Sequence, residues 1–146
     1  MIRPATPDDV PELLALIREL ADFEDMADQV VITEADLHAA LFGDGAVVHD
    51  TVAVAEDGSL AGHALWFVTF STFVGRTGIW LEDLYVRPDY RRQGHAAALL
   101  DHLRASTTGR VEWEVLDWNA KAIDFYDALG ARPMSGWTKY RWSPAV

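Results

Sequence analysis

The chain has 146 residues, half of them apolar, with 6 Trp, 6 Phe and 4 Tyr, which suits one packed domain over residues 1–146 and excludes a disordered chain. It contains no cysteine, which excludes disulfides, thiolate nucleophiles and cysteine-type zinc sites. Its 23 acidic against 12 basic residues leave a formal net charge of −11, which argues against binding along nucleic-acid phosphates and suits either simple solubility or the drawing of cationic small molecules toward a cleft.

The opening "MIRPATPDDV" lacks a basic-then-apolar leader pattern, and no run of about 18 apolar residues follows, so a cytosolic protein without membrane contact is expected. Residues 2–5 read as a short edge strand. Thr6, Pro7 and Asp9 then carry the signals of a helix start. Val10, Leu13, Leu14, Ile17 and Ala21 recur at helical spacing and form one apolar stripe to about residue 22. Thr33 with Asp36 three positions on predicts a second cap, followed by a shorter helix through Leu37 and Leu41 that ends near Gly43.

Residues 46–55 and 60–70 are β-rich runs separated by "EDGS", whose Asp57-Gly58 is a hairpin signal. They are expected to pair antiparallel. Residues 77–86, "TGIWLEDLYV", read as a third strand with Glu82 and Asp83 in its middle, ended by Arg87-Pro88. Ala96, Leu99, Leu100 and Leu103 then mark a helix that stops before Gly109. Residues 110–116 predict a strand, 119–130 a helix closed by Gly130, and 132–142 a final hairpin or strand pair. The order β-α-α-β-β-β-loop-α-β-α-β is that of a mixed α+β domain. A helical crossover makes the 79–86 and 110–116 strands parallel, and ligands of open sheets gather at the carboxyl ends of such strands.

That is where "DYRRQGHAAALL" lies. Adjacent arginines and a glycine before an apolar helix read either as an anion site, with loop N–H groups and the helix N-terminus pointing at the ligand, or as a solvated loop before a surface helix. Arg91-Arg92-Gln93-Gly94-His95-Ala96 resembles the Arg/Gln-x-x-Gly-x-Gly/Ala signature of the GNAT N-acetyltransferases. "IRPAT", "FEDMADQV", "WLEDLYV", "WN", "DFY" and "GA" further resemble the diamine acetyltransferases of the spermidine/spermine and thialysine type.

The resemblance implies a GNAT fold, with antiparallel N-terminal strands and a splayed parallel pair, and acetyl-CoA as cosubstrate with no metal. It implies that Arg91, Arg92, Gln93, Gly94, His95, Ala96 and Ala97 hold the pyrophosphate, and that the backbone of Leu84, Tyr85 and Val86 pairs with the pantetheine arm. It further implies that Asn119 contacts cofactor and substrate, and that the protein is a homodimer, with the terminal strands and "WFVTFSTFVG" as candidate contact surfaces.

An alkylamine has a pKa of about 10.4 and arrives protonated, so a base must take its proton. Glu82 and Asp83 are the candidates, because carboxylates within a strand are costly unless they meet a cation, bind donors or open onto a cleft. Alternation puts them on opposite faces unless a bulge intervenes. The family pattern gives the base role to Glu82, a substrate or structural role to Asp83, and the general acid to Tyr126, in contact with the cofactor. Tyr126 also belongs to a core-like stripe with Ala122, Phe125 and Leu129. Glu24, Asp25 and Asp28 occupy the loop where the resemblance places amine recognition; a solvated acidic turn is the alternative.

The chain departs from the spermidine/spermine pattern at Ser71 and Phe73, and in a shorter loop at 131–137. Arg76 and Arg132 are candidates for a substrate carboxylate. The five histidines lack metal-ligand spacing and read as structural or exposed. The expected activity is transfer of acetyl from acetyl-CoA to a primary amine of a diamine, polyamine or thialysine-like amino acid. Alternatives are a protein or peptide N-acetyltransferase and a noncatalytic acyl-CoA-binding module.

Overall fold

The computed structural model describes residues 1–144. The chain forms two compact units, Met1–Glu114 and the residues from Val115 on. The first holds a five-stranded sheet in the order β1-β2-β3-β4-β5, built from β1 (Ile2–Pro4), β2 (Val48–Val54), β3 (Leu60–Ser71), β4 (Arg76–Val86) and β5 (Val111–Trp113), with helices α1 (Val10–Phe23), α2 (Glu34–Phe42) and α3 (His95–Ala105). The second holds α4 (Ala120–Ala128). β1 to β4 are antiparallel neighbours and β4 pairs β5 in parallel, as the crossover through α3 requires.

Local chemistry sets the helix starts. Asp9 accepts from the Thr6 N–H at 2.8 Å, and a 3-10 turn at Pro7–Asp9 leads into α1. Thr33 and Asp36 exchange bonds of 3.1 and 3.0 Å at the start of α2, a reciprocal cap. Val10, Leu13, Leu14 and Leu16 of α1, with Leu37 of α2, pack on Val52, Leu60, Leu65 and Tyr85 of the sheet. The buried Leu99, Leu100 and Leu103 of α3 lie outside that cluster. Leu13 is fully buried, so Leu13→Ala is expected to cost about 2–5 kcal/mol, read as a lower urea midpoint at unchanged m-value.

Two expectations need correction. The last strand is shorter than 110–116, because the β4–β5 ladder ends at Leu81↔Trp113 and the chain then turns into α4, with the Asn119 N–H bonding Leu116 O at 2.9 Å. The expected hairpin at 132–142 is absent among the described residues: 131–144 form no strand. Pro133 has no N–H to give a ladder, Gly136 takes φ +90°, and Trp137, Tyr140 and Trp142 stay exposed.

Candidate active site

The site begins with one extra residue in β4. Leu65 pairs with Asp83 and the next residue, Trp66, pairs with Leu81, so the register shifts and Glu82 is left over. This is a β-bulge. Trp80 pairs with Phe67 and Asp83 with Leu65; Phe67 and Leu65 are two apart and share a face of β3, so Trp80 and Asp83 share it too, although three positions separate them. The Trp80 Nε1–H donates to Glu82 Oε2 at 3.1 Å, drawing that carboxylate to the same side. The bulge thus gathers the two acids that strict alternation would separate. It does so just past Leu81↔Trp113, the last rung shared with β5.

Glu24 completes the acidic group. The end of α1 is closed by the Met26 N–H bonding Ala21 O at 2.8 Å, with Asp25 at φ +56°, a helix stop in the left-handed region. Burial, then the nearby Asp83 charge, raises the Glu24 pKa. Asp83 is raised by burial first, with His63 opposing and Glu82 and Asp50 adding to the rise. Asp25 and Asp28 are exposed, so of the three loop acids only Glu24 is brought to Asp83. A half-buried carboxyl with a raised pKa favours the fold below its unfolded pKa, and that contribution is lost as pH rises through the folded value. Asp83→Asn is therefore expected to raise Tm near pH 7.5, with the difference closing as pH falls toward about 4; thermal melts across that range check it.

At the far end of β4, Arg87 ties the strand to α1, donating to Glu12 at 3.0 Å and Glu19 at 3.1 Å, while the Tyr85 hydroxyl reaches Glu19 at 3.4 Å. Arg91 donates Nε–H to Val86 O at 2.9 Å and lies over the rings of Phe23 and Tyr85. Its guanidinium anchors the loop to the strand end, and the carbonyl of Val86 is already engaged. Leu84 and Tyr85 lie beyond the β5 ladder. Arg92 takes φ +62° and Gly94 φ +83°, two left-handed residues in one turn. α3 starts at Gly94 without a side-chain cap; Arg91 N–H bonds Pro88 O and Ala98 N–H bonds Gly94 O. The N–H groups of Gln93, His95, Ala96 and Ala97 thus lie at a helix N-terminus that no side chain among the described residues caps.

In the second unit, Asn119 is the N-cap of α4, its Oδ1 accepting from the Ala122 N–H at 3.3 Å. Tyr126 packs beside Phe125 with centroids 5.6 Å apart. Arg76 and Arg132 are exposed.

The Acetyltransferase (GNAT) family model matches residues 14–131. The chain belongs to the GNAT acetyltransferase family. It is 37% identical to the thialysine N-epsilon-acetyltransferase of Sus scrofa over 97% of this chain and 91% of that protein, and 29% identical to an L-ornithine acetyltransferase of Arabidopsis thaliana over 93% and 81%. A probable acetyltransferase of known structure superposes with a TM-score of 0.80 at 22% identity, covering 100% of this chain and 99% of that one, and an integron cassette protein of V. cholerae with 0.80 at 23%, covering 99% and 92%; both share the fold.

GNAT enzymes use acetyl-CoA, and the residues present fit it. An uncapped helix N-terminus preceded by left-handed turn residues suits a pyrophosphate, and a strand edge that outruns its partner suits an amide-bearing arm. Sequence reasoning missed Asp50 and His63, which meet inside this GNAT sheet with Nδ1 and Oδ2 2.8 Å apart. The signal was present in part: His63 is the polar residue in the otherwise apolar "LAGHALWF", whereas Asp50 sits between His49 and Thr51 in "VVHDTVAV" and does not stand out.

Proposed function

We propose that this enzyme transfers the acetyl group of acetyl-CoA to a primary amine of a small cationic molecule, of the thialysine, diamine or ornithine-like class, by direct attack in a ternary complex. The observation that carries this reading is the bulge at Glu82, which sets Glu82, Asp83 and Glu24 together where β4 outruns β5. Glu24 and Asp83 receive the ammonium, whose charge offsets the burial that chiefly raises both pKa values and, for Glu24, the nearby Asp83 charge. Glu82, more exposed and oriented by Trp80, takes the amine proton, directly or through a water.

Acetyl-CoA, when bound, supplies an activated acyl group. The loop from Arg92 to Ala97 fixes its pyrophosphate, and the edge at Leu84 and Tyr85 aligns its arm. With no cysteine in the chain, no protein thioester carries the acetyl. By the family resemblance, Tyr126 supplies the proton that the leaving sulfur takes up, and residues 1–146 act as one catalytic domain.

The thialysine and L-ornithine relatives support an amino-acid-like amine, and the departures at Ser71 and Phe73 in the β3–β4 hairpin speak against a long polyamine. A screen of thialysine, ornithine, lysine, putrescine and spermidine with acetyl-CoA, followed by free-thiol release, tests the proposal. Turnover of at least one above the hydrolysis background is expected. Failure on all, with acetyl-CoA still binding, overturns the amine assignment.

A further inference from the structure

Three strands place a histidine between two carboxylates on one face of the sheet. Asp50, Leu65 and Asp83 lie abreast on β2, β3 and β4, and Val52, His63 and Tyr85 form the next rung. His63 is therefore diagonal to Asp50 on one side and to Asp83 on the other, within side-chain reach of both. The side chains of Asp50 and His63 are both 0% exposed. With Nδ1 bonded to Asp50 at 2.8 Å, Nε2 turns away from β2; it is sealed from solvent and has no partner among the described residues, and Asp50 Oδ1 likewise has none among them. A buried pair with two unpartnered polar atoms is costly to the fold, and its presence calls for an explanation.

We propose that Asp50 and His63 form a buried positioning pair that holds Asp83 in its carboxylate form, and so sets the pH above which the site accepts a cationic amine. The inference rests on the amine-acetyltransferase function proposed above. Neither residue touches substrate; the pair acts through Asp83.

The charges facing the pair are all identifiable. Burial is the largest influence and works against the imidazolium, but the charge and hydrogen bond of Asp50, together with Asp83, outweigh it and the opposing Arg87. Asp50 is raised by its own burial against the pull of His63, with Asp9 adding a smaller push. Each partner thus favours keeping a proton in the pair. With that proton on His63, the imidazolium stands beside Asp83, where it is the first influence to counter burial, and the Asp50 carboxylate offsets a smaller part of it. Asp83 in turn faces Glu82 on its own strand and Glu24 at the end of α1. With an imidazolium behind it, Asp83 ionises at lower pH than its burial and its acidic neighbours alone would allow.

The test is the side-chain carboxyl carbon of Asp83, followed by NMR from pH 4 to 9 in the full chain without substrate and assigned by its loss in Asp83→Asn. In His63→Gln its midpoint is expected to rise by about half a unit to one unit. The double variant Asp50→Asn/His63→Gln removes both buried charges while keeping two hydrogen-bonding side chains of similar size, and is expected to show the same direction if the single variant folds poorly. With thialysine as probe, the acidic limb of kcat/KM moves to higher pH by the same amount. An Asp83 midpoint unchanged in the double variant, or a kcat/KM lowered equally at every pH, overturns the proposal. If wild type turns over no amine yet the midpoint shifts, the amine-acetyltransferase function fails and the pair stands.

Discussion

Glu82→Gln is expected to lower kcat/KM for the amine by roughly 10²- to 10⁴-fold near pH 7, the usual contribution of a positioned general base. The amide keeps an oxygen for the Trp80 Nε1–H that Glu82 now accepts at 3.1 Å, so the bulge and its neighbours are retained and the loss isolates proton transfer. An amine of pKa about 10.4 is neutral in only about one molecule in 2,500 at pH 7. Without a base the variant depends on that fraction, and its rate should climb close to tenfold per pH unit between pH 6 and 9, where the wild type flattens once its own groups have titrated. Acetyl-CoA affinity, measured by calorimetry, should match wild type. A variant with wild-type rates across that range would remove Glu82 from the chemistry and pass the role of base to Asp83.

Much of this architecture was readable from local pattern, because the forces that set it are local. The apolar stripe of α1, the reciprocal cap at Thr33 and Asp36 and the Asp57-Gly58 turn each act within a few residues, and each is where periodicity and turn chemistry put it. Helix α3 follows Gly94 for the same reason. What escaped depends on partners distant in sequence. The side to which Glu82 points is decided by a one-residue slip against β3, which appears only in the register between Leu65 and Trp66. The Asp50–His63 pair requires two strands to be laid side by side. Residues 132–142 contain Trp137, Tyr140 and Trp142 and so have the composition of strands, but composition makes no strand without a ladder to join, and none is formed there among the described residues. The loop acids show the same division: Glu24, Asp25 and Asp28 look equivalent in sequence, and the left-handed turn at Asp25 presents only Glu24 to Asp83.

Gly94→Asp is expected to separate the helix from its ligand. At φ +83° most side chains are strained, but aspartate is among the few residues that visit this region, and a Cβ added at Gly94 would meet nothing within 4 Å. A carboxylate at the N-cap also complements the helix dipole, which offsets part of that strain. Tm should therefore hold or fall slightly. The same carboxylate stands where the proposed pyrophosphate must sit: two like charges about 5 Å apart at an effective dielectric constant near 20 repel by about 3 kcal/mol, roughly a hundredfold in affinity. Calorimetry should show acetyl-CoA binding weakened by about that factor, with part of the loss recovered at high salt, where the repulsion is screened. Gly94→Asn, with the same shape and no charge, should bind far more tightly than the aspartate variant. Equal affinities for the two would mean that the loop holds no anion, and a folded Gly94→Asp enzyme binding acetyl-CoA as wild type does would place the pyrophosphate away from α3 altogether.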